Sequence, residues 1–160
     1  MKIGFVVPDL APSQLSYYLI KNINEQCAIS KDDFVIFFED VSTKIIDPHF
    51  AIMNAAELWT FDGILISTTI STALTCINSM STAEKYFYVW DLEWLREMGK
   101  NFEYSIKAFT SDEIRLIARS QDHAVAIKNY CNRDVLDIVE DFNINQFMRI
   151  IDSHEICSTT

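Results

Sequence analysis

The sequence predicts an α/β fold: a Rossmann-like three-layer sandwich on a mainly parallel sheet of six or seven strands. Three observations predict it. Short apolar runs alternate with segments of helical spacing, the order produced by parallel strands linked through covering helices. The runs are apolar almost throughout, as strands covered on both faces are. Right-handed crossovers between such strands place helices on both sides of one sheet.

Ile3–Val7 is a continuous apolar run closed by Pro8-Asp9 and reads as a central strand. Leu15, Tyr18, Leu19, Asn22 and Ile23 follow helical spacing, which predicts a helix from Ser13 to Glu25. Phe34–Phe38 is the second strand. A loop over 41–48 leads to a short strand at Phe50–Met53, and Asn54–Trp59 forms one helical turn. The turn pair Asp62-Gly63 opens the strand Gly63–Ile66, and Ala73, Ile77 and Met80 mark the helix behind it. Tyr86–Trp90 is an aromatic strand. The stretch Leu92 to Thr110 reads as irregular, with a helical turn over Glu93–Met98. Ile114–Ala118 is the next strand, Ser120 stands at an N-cap position, and Ala124, Ile127 and Cys131 form the inner helical face. Val135–Val139 reads as the last strand, with Phe147, Ile150 and Ile151 on a closing helix. Residues 1–152 are expected to form a single domain and 153–160 a frayed tail.

Composition narrows the function classes. The chain has 160 residues, 49% of them hydrophobic, enough for a full core without staples. Thirteen basic against 23 acidic residues leave a net charge of −10, which opposes non-specific nucleic-acid binding and docking on anionic membranes. The apolar run at the start is too short for a signal peptide, and no stretch approaches a membrane span. Cys27, Cys76, Cys131 and Cys157 are far apart, with no CxxC pair, so reduced thiols are expected and a metal site is not. These features predict a cytoplasmic chain.

Open parallel sheets bind ligands beyond the carboxyl ends of their strands. That rule collects Asp9 to Ser13, Glu39 and Asp40, Ser67 to Thr69, Asp91 to Glu93, Arg119 to His123, and Glu140 to Asn143. Pro8-Asp9-Leu10-Ala11-Pro12-Ser13 lacks the glycines that let a backbone approach a pyrophosphate, which argues against NAD, FAD and P-loop nucleotides. It is either a stiffened loop whose Ser13 caps a helix or a ligand contact through Asp9. Ser67-Thr68-Thr69 puts hydroxyls at a strand-to-helix junction, where they cap the helix or hold an anion. Trp90-Asp91-Leu92-Glu93-Trp94 points both carboxylates to one face if the strand stays extended. Such a pair suits a sugar hydroxyl or a general base, and an acidic loop under aromatic rings is the alternative. Ser120-Gln121-Asp122-His123 opens a helix, and His123 is either a ligand donor or structural.

The order of these segments resembles GT-B-type glycosyltransferases. Trp59-Thr60-Phe61-Asp62-Gly63-Ile64-Leu65-Ile66 is similar to that family's "fDvvh" strand, and Lys85-Tyr86-Phe87-Tyr88-Val89-Trp90-Asp91 to its "k.v.yvwD" strand. Ile117-Ala118-Arg119-Ser120-Gln121-Asp122-His123-Ala124 resembles the "vS..ha" helix start, and Val135 to Phe147 the "v.vipNgvD...F" strand before the second domain. The match spans residues 59–147, and short glycosyltransferase-like products of large tailed phages are also similar. Three departures stand out: the glycine-rich first loop is missing, Ile66-Ser67 stands where many members carry a histidine, and the second, donor-binding domain is not represented. The resemblance therefore covers the acceptor half alone.

These readings converge on one shared pocket, with Asp91 and Glu93 as catalytic candidates and Asp9, Ser67, Thr68, Ser120 and His123 as ligand contacts. The function expected is a glycosyltransferase-like domain that binds a sugar or nucleotide ligand, or a separate donor-domain protein, without autonomous catalysis. Alternatives are a complete small transferase acting as a dimer and a non-enzymatic interaction scaffold. A nucleotide sugar is the expected ligand, with no resident cofactor. A homodimer is expected, with Trp90 and Trp94 at the crevice rim.

Overall fold

In the computed structural model, which describes residues 1–96 and 101–158, six parallel strands form one sheet. They are β1 (Lys2–Val7), β2 (Asp33–Phe38), β3 (Ala51–Asn54), β4 (Ile64–Ser67), β5 (Glu84–Val89) and β6 (Arg115–Ala118). Their order is β3-β2-β1-β4-β5-β6, so the chain winds one way from β1 to β3 and returns to wind the other way from β4. This is the strand order of the doubly wound Rossmann fold. The helices are α1 (Gln14–Cys27), α2 (Ile70–Asn78), α3 (Asn101–Thr110), α4 (Gln121–Cys131) and α5 (Ile144–Ser158). Short 3₁₀ turns occupy Ala55–Thr60 and Glu93–Arg96.

Side-chain alternation divides the core. Ile3, Phe5 and Val7 of β1 face α1 and α5, whereas Val6 turns to the opposite side with Leu65 and Cys76. Leu15, Leu19, Ile20 and Ile23 of α1 and Phe147, Ile150 and Ile151 of α5 cover the first face. Helices α2, α3 and α4 cover the second through Ile70, Leu74, Phe109 and Ile127. Each helix start is built from a local signal. Ser13 and Thr69 form reciprocal capping boxes with Ser16 and Thr72, and Ser120 Oγ accepts from the His123 amide. Gly63 permits the closest backbone approach, since a Cβ there would lie 2.3 Å from the Lys2 carbonyl oxygen.

Four expectations change. The run Val135–Val139 is not a full strand but a single parallel bridge between Ala118 and Ile138. Leu136 N donates to Leu116 O and Val139 N to Ala118 O, so three residue steps of this segment face two of β6 and the register breaks before a ladder can form. The short strand expected at Phe50–Met53, by contrast, forms as β3, paired with β2 from Val35 to Phe38. The stretch read as irregular contains α3, anchored by Ser105, Ala108 and Phe109 at helical spacing. The turn expected over Glu93–Met98 is present as Glu93–Arg96, and Met98 lies outside the described residues. Helix α2 ends at Asn78, so Met80, expected on its inner face, is almost fully exposed.

Candidate functional site

The carboxyl ends of β5 and β6 carry an aromatic platform. Trp90 follows β5 and is buried, with its ring 4.8 Å from Phe142 and 6.1 Å from Tyr88. The Arg119 guanidinium lies over the Trp90 ring at 3.8 Å from its centroid, and its Nη2 is 3.5 Å from Asp141 Oδ1. Tyr88, fully buried, donates its hydroxyl to Val139 O at 2.6 Å, and burial pushes that phenol's pKa well above its ordinary value. Asp141 and Phe142 follow in left-handed backbone, φ 44° and 56°, unusual for two consecutive non-glycine residues. Asn22 Nδ2 of α1 holds this corner by donating to both carbonyl oxygens, at 2.7 Å to Asp141 and 3.0 Å to Phe142.

Beside the platform, Arg119, Ser120, His123, Glu140 and Asp141 line a cavity of about 340 Å³ at the start of α4. Nδ1 of His123 is buried there without a hydrogen-bond partner. A second cavity of about 430 Å³ lies between α1 and the start of α5, and Glu140 and Asp141 border it too, opposite Lys21 and Asn22. The chemistry offered is mixed: two carboxylates that accept, one guanidinium already shared with Asp141, and one imidazole.

Of the seven expected site residues, the structure brings only Ser120 and His123 into this cavity. Ser67 and Thr68 are buried and spend their hydroxyls on backbone, Ser67 Oγ donating to Tyr86 O at 3.1 Å and Thr68 Oγ1 to Val6 O at 3.0 Å. A hydroxyl beside an unmet carbonyl in the core satisfies it rather than a ligand. Asp9 Oδ1 accepts from the Ala11 amide at 2.7 Å and shapes its own turn. Asp91 and Glu93 do not form a pair on one face, because a 3₁₀ turn begins at Glu93 and breaks the extended geometry. Asp91 pairs with Arg96 at 2.5 Å, which holds that guanidinium's pKa above its ordinary value. Glu93 Oε1 accepts from the Ile70 amide at 3.0 Å, so the anion at the start of α2 is the chain's own carboxylate. The expected aromatic rim is also taken up: Trp90 is buried, and Trp94 stacks on Tyr130 at 4.4 Å.

Arg119, Glu140 and Asp141 stood among the strand-end residues but had no motif to single them out. Their proximity comes from the backbone bridge of Ala118 with Ile138, which lays Glu140 and Asp141 beside Arg119. Among the described residues, no group of three His, Cys, Asp or Glu side chains is placed to hold a metal, and no helix is long and apolar enough to cross a membrane. Comparison with protein-family models, curated proteins and solved structures returns no match, so the fold and this cavity carry the functional argument.

Proposed function

We propose that this chain is a glycosyltransferase-like, ligand-binding domain that takes a hydroxyl-rich, sugar-bearing group beside β6 and does not catalyse transfer on its own. The observation that carries the reading is the cavity lined by Arg119, Ser120, His123, Glu140 and Asp141, with the unpartnered Nδ1 of His123 at its wall. Two carboxylates against one partly neutralised guanidinium favour sugar hydroxyls, which donate to carboxylates, over a bare pyrophosphate, which they repel. The non-catalytic part of the reading is supported by the two acids expected to act: each is already engaged, Asp91 by Arg96 and Glu93 by the Ile70 amide.

A second reading, an interaction scaffold, draws support from the β1/β4 switch point. There Glu39 accepts from Ser71 and Thr75 hydroxyls, and Ser67 and Thr68 are bonded internally, so the crevice most used by this architecture is filled by the chain itself. Titration of the protein with UDP-, GDP- and ADP-sugars and with the free sugars, followed by amide chemical shifts, separates the readings. Shifts clustered on Arg119–His123 and Glu140–Asp141, weakened at least about tenfold by Glu140→Gln, support the ligand-binding reading, the scale being that of one charged hydrogen bond. Turnover of any donor overturns the non-catalytic part. Neither binding nor turnover leaves the scaffold.

A further inference from the structure

We infer that β3 is a docking edge for a second copy of this chain, pairing antiparallel with its own symmetry mate to make a continuous twelve-stranded sheet, two six-stranded sheets joined. This goes beyond the sugar-binding reading and does not depend on it.

The two edges of the sheet are treated differently. Outside β6, the segment Leu136–Val139 lies against the strand and engages Leu116 O, the Ala118 amide and Ala118 O. Outside β3, no strand or bridge among the described residues uses the free backbone groups. Unpaired edges template further pairing unless charge, proline or a cover protects them. Pro48 precedes β3, but from Pro48 to Ala56 there is no Asp, Glu, Lys or Arg. The edge also carries exposed apolar side chains on the segments entering, forming and leaving β3: Val41 at 87%, Ile45 at 44%, Met53 at 42% and Trp59 at 67% exposure.

The occupant follows from charge and closure. A chain of net charge −10 repels a copy of itself wherever carboxylates face each other, and an uncharged edge is where that repulsion is least. Head-to-tail stacking of β3 on the mate's β6 would build a filament, but the Leu136–Val139 segment blocks that edge. A two-fold pairing of β3 with β3 uses both bare edges at once and closes as a dimer. Four residues of ladder bury little alone, so Met53 and Trp59 supply the apolar contact that brings the interface toward a stable size.

The test is light scattering over a concentration series, with amide exchange measured at the same concentrations. The expected result is a mass rising from one 18.5 kDa chain toward two, with exchange at Ala51–Asn54 slowing as concentration rises. Met53→Lys, at an exposed position, shifts the mass back to one chain, whereas Val125→Lys, exposed on α4 beside the opposite edge strand, leaves the dimer intact. A wild-type chain that stays monomeric throughout overturns the inference. So does a dimer that survives Met53→Lys, or one whose Ala51–Asn54 amides exchange at the monomer's rate, a readout that needs no variant.

Discussion

The carboxylate of Glu93 accepts from the amide of Ile70, the first residue of α2, at 3.0 Å. A side chain from the loop after β5 thereby satisfies a donor that the helix cannot satisfy itself and sets a negative charge at its positive end. Glu93→Ala is expected to cost about 1 kcal/mol in a urea titration, the typical value of such a cap. Glu93→Gln keeps an acceptor oxygen but drops the charge, so a smaller loss is expected. Equal losses from both would mean that charge, not the hydrogen bond, matters.

Asn22 joins α1 to the corner at Asp141 and Phe142 through two hydrogen bonds from one amide group. Asn22→Ala is expected to destabilise the fold by about 1–3 kcal/mol, since two carbonyl oxygens lose their donor. Asn22→Asp replaces that donor with acceptors and should be no better than alanine. Amide exchange should quicken first around residues 140–143, and loss of stability without that local signature would contradict this account.

Gly63 sits where β4 begins beside β1, with room for no side chain. Gly63→Ala sets a Cβ against the Lys2 carbonyl oxygen and carbonyl carbon, atoms that cannot move without displacing β1. Thermal unfolding should show a loss of at least about 1–3 kcal/mol, the range for overpacking. Gly4→Ala meets flexible ring and methyl atoms of Phe37 and Leu65 and should cost less. The reverse ranking would sink the argument.

Stability should fall on the alkaline side. Burial pushes the Cys76 thiol from an ordinary value of 9.0 up to about 12 and the Tyr86 phenol from 10.0 up to about 12. The folded chain therefore holds protons that the unfolded chain releases from pH 9 upward. Fewer protons on the unfolded state make stability decrease with pH. The contribution is complete below pH 9 and is lost as pH rises toward 12. Denaturant midpoints measured across that window should decline, and Cys76→Ala should flatten the first part of the slope.

Strand identity was legible wherever a run was apolar on both faces, as at Ile3–Val7 and Tyr86–Val89, because full burial leaves no alternation to misread. Capping serines were legible for the same local reason: Ser13 and Ser120 act on amides three residues away. The segment Val135–Val139 misled because apolar content reports burial, whereas the ladder is broken by an extra residue between Leu136 and Val139. Helix α3 stayed hidden because its buried face includes Ser105, which carries no hydrophobic signal. The site was least legible. Arg119, Ser120 and His123 lie close in sequence, but Glu140 and Asp141 join them only through the backbone bridge that sets Val139 beside Ala118. Hydroxyls and acids at strand ends mark an address, and which of them stay free is decided by neighbours far along the chain.

The contact of α5 with β1 has a consequence for how the chain comes to be folded. Phe147 lies 5.8 Å and Phe142 6.5 Å from Phe5, ring to ring, so residues far apart in the sequence complete the same layer of the core. Until α5 has left the ribosome, the inner side of the central strand has only part of its cover. A sheet whose strands are all parallel already delays its contacts, since each pairing must close a long loop first. The nascent chain therefore carries an apolar strand partly bare from the emergence of β1 until α5 follows it, the state on which chaperones act and from which aggregates start.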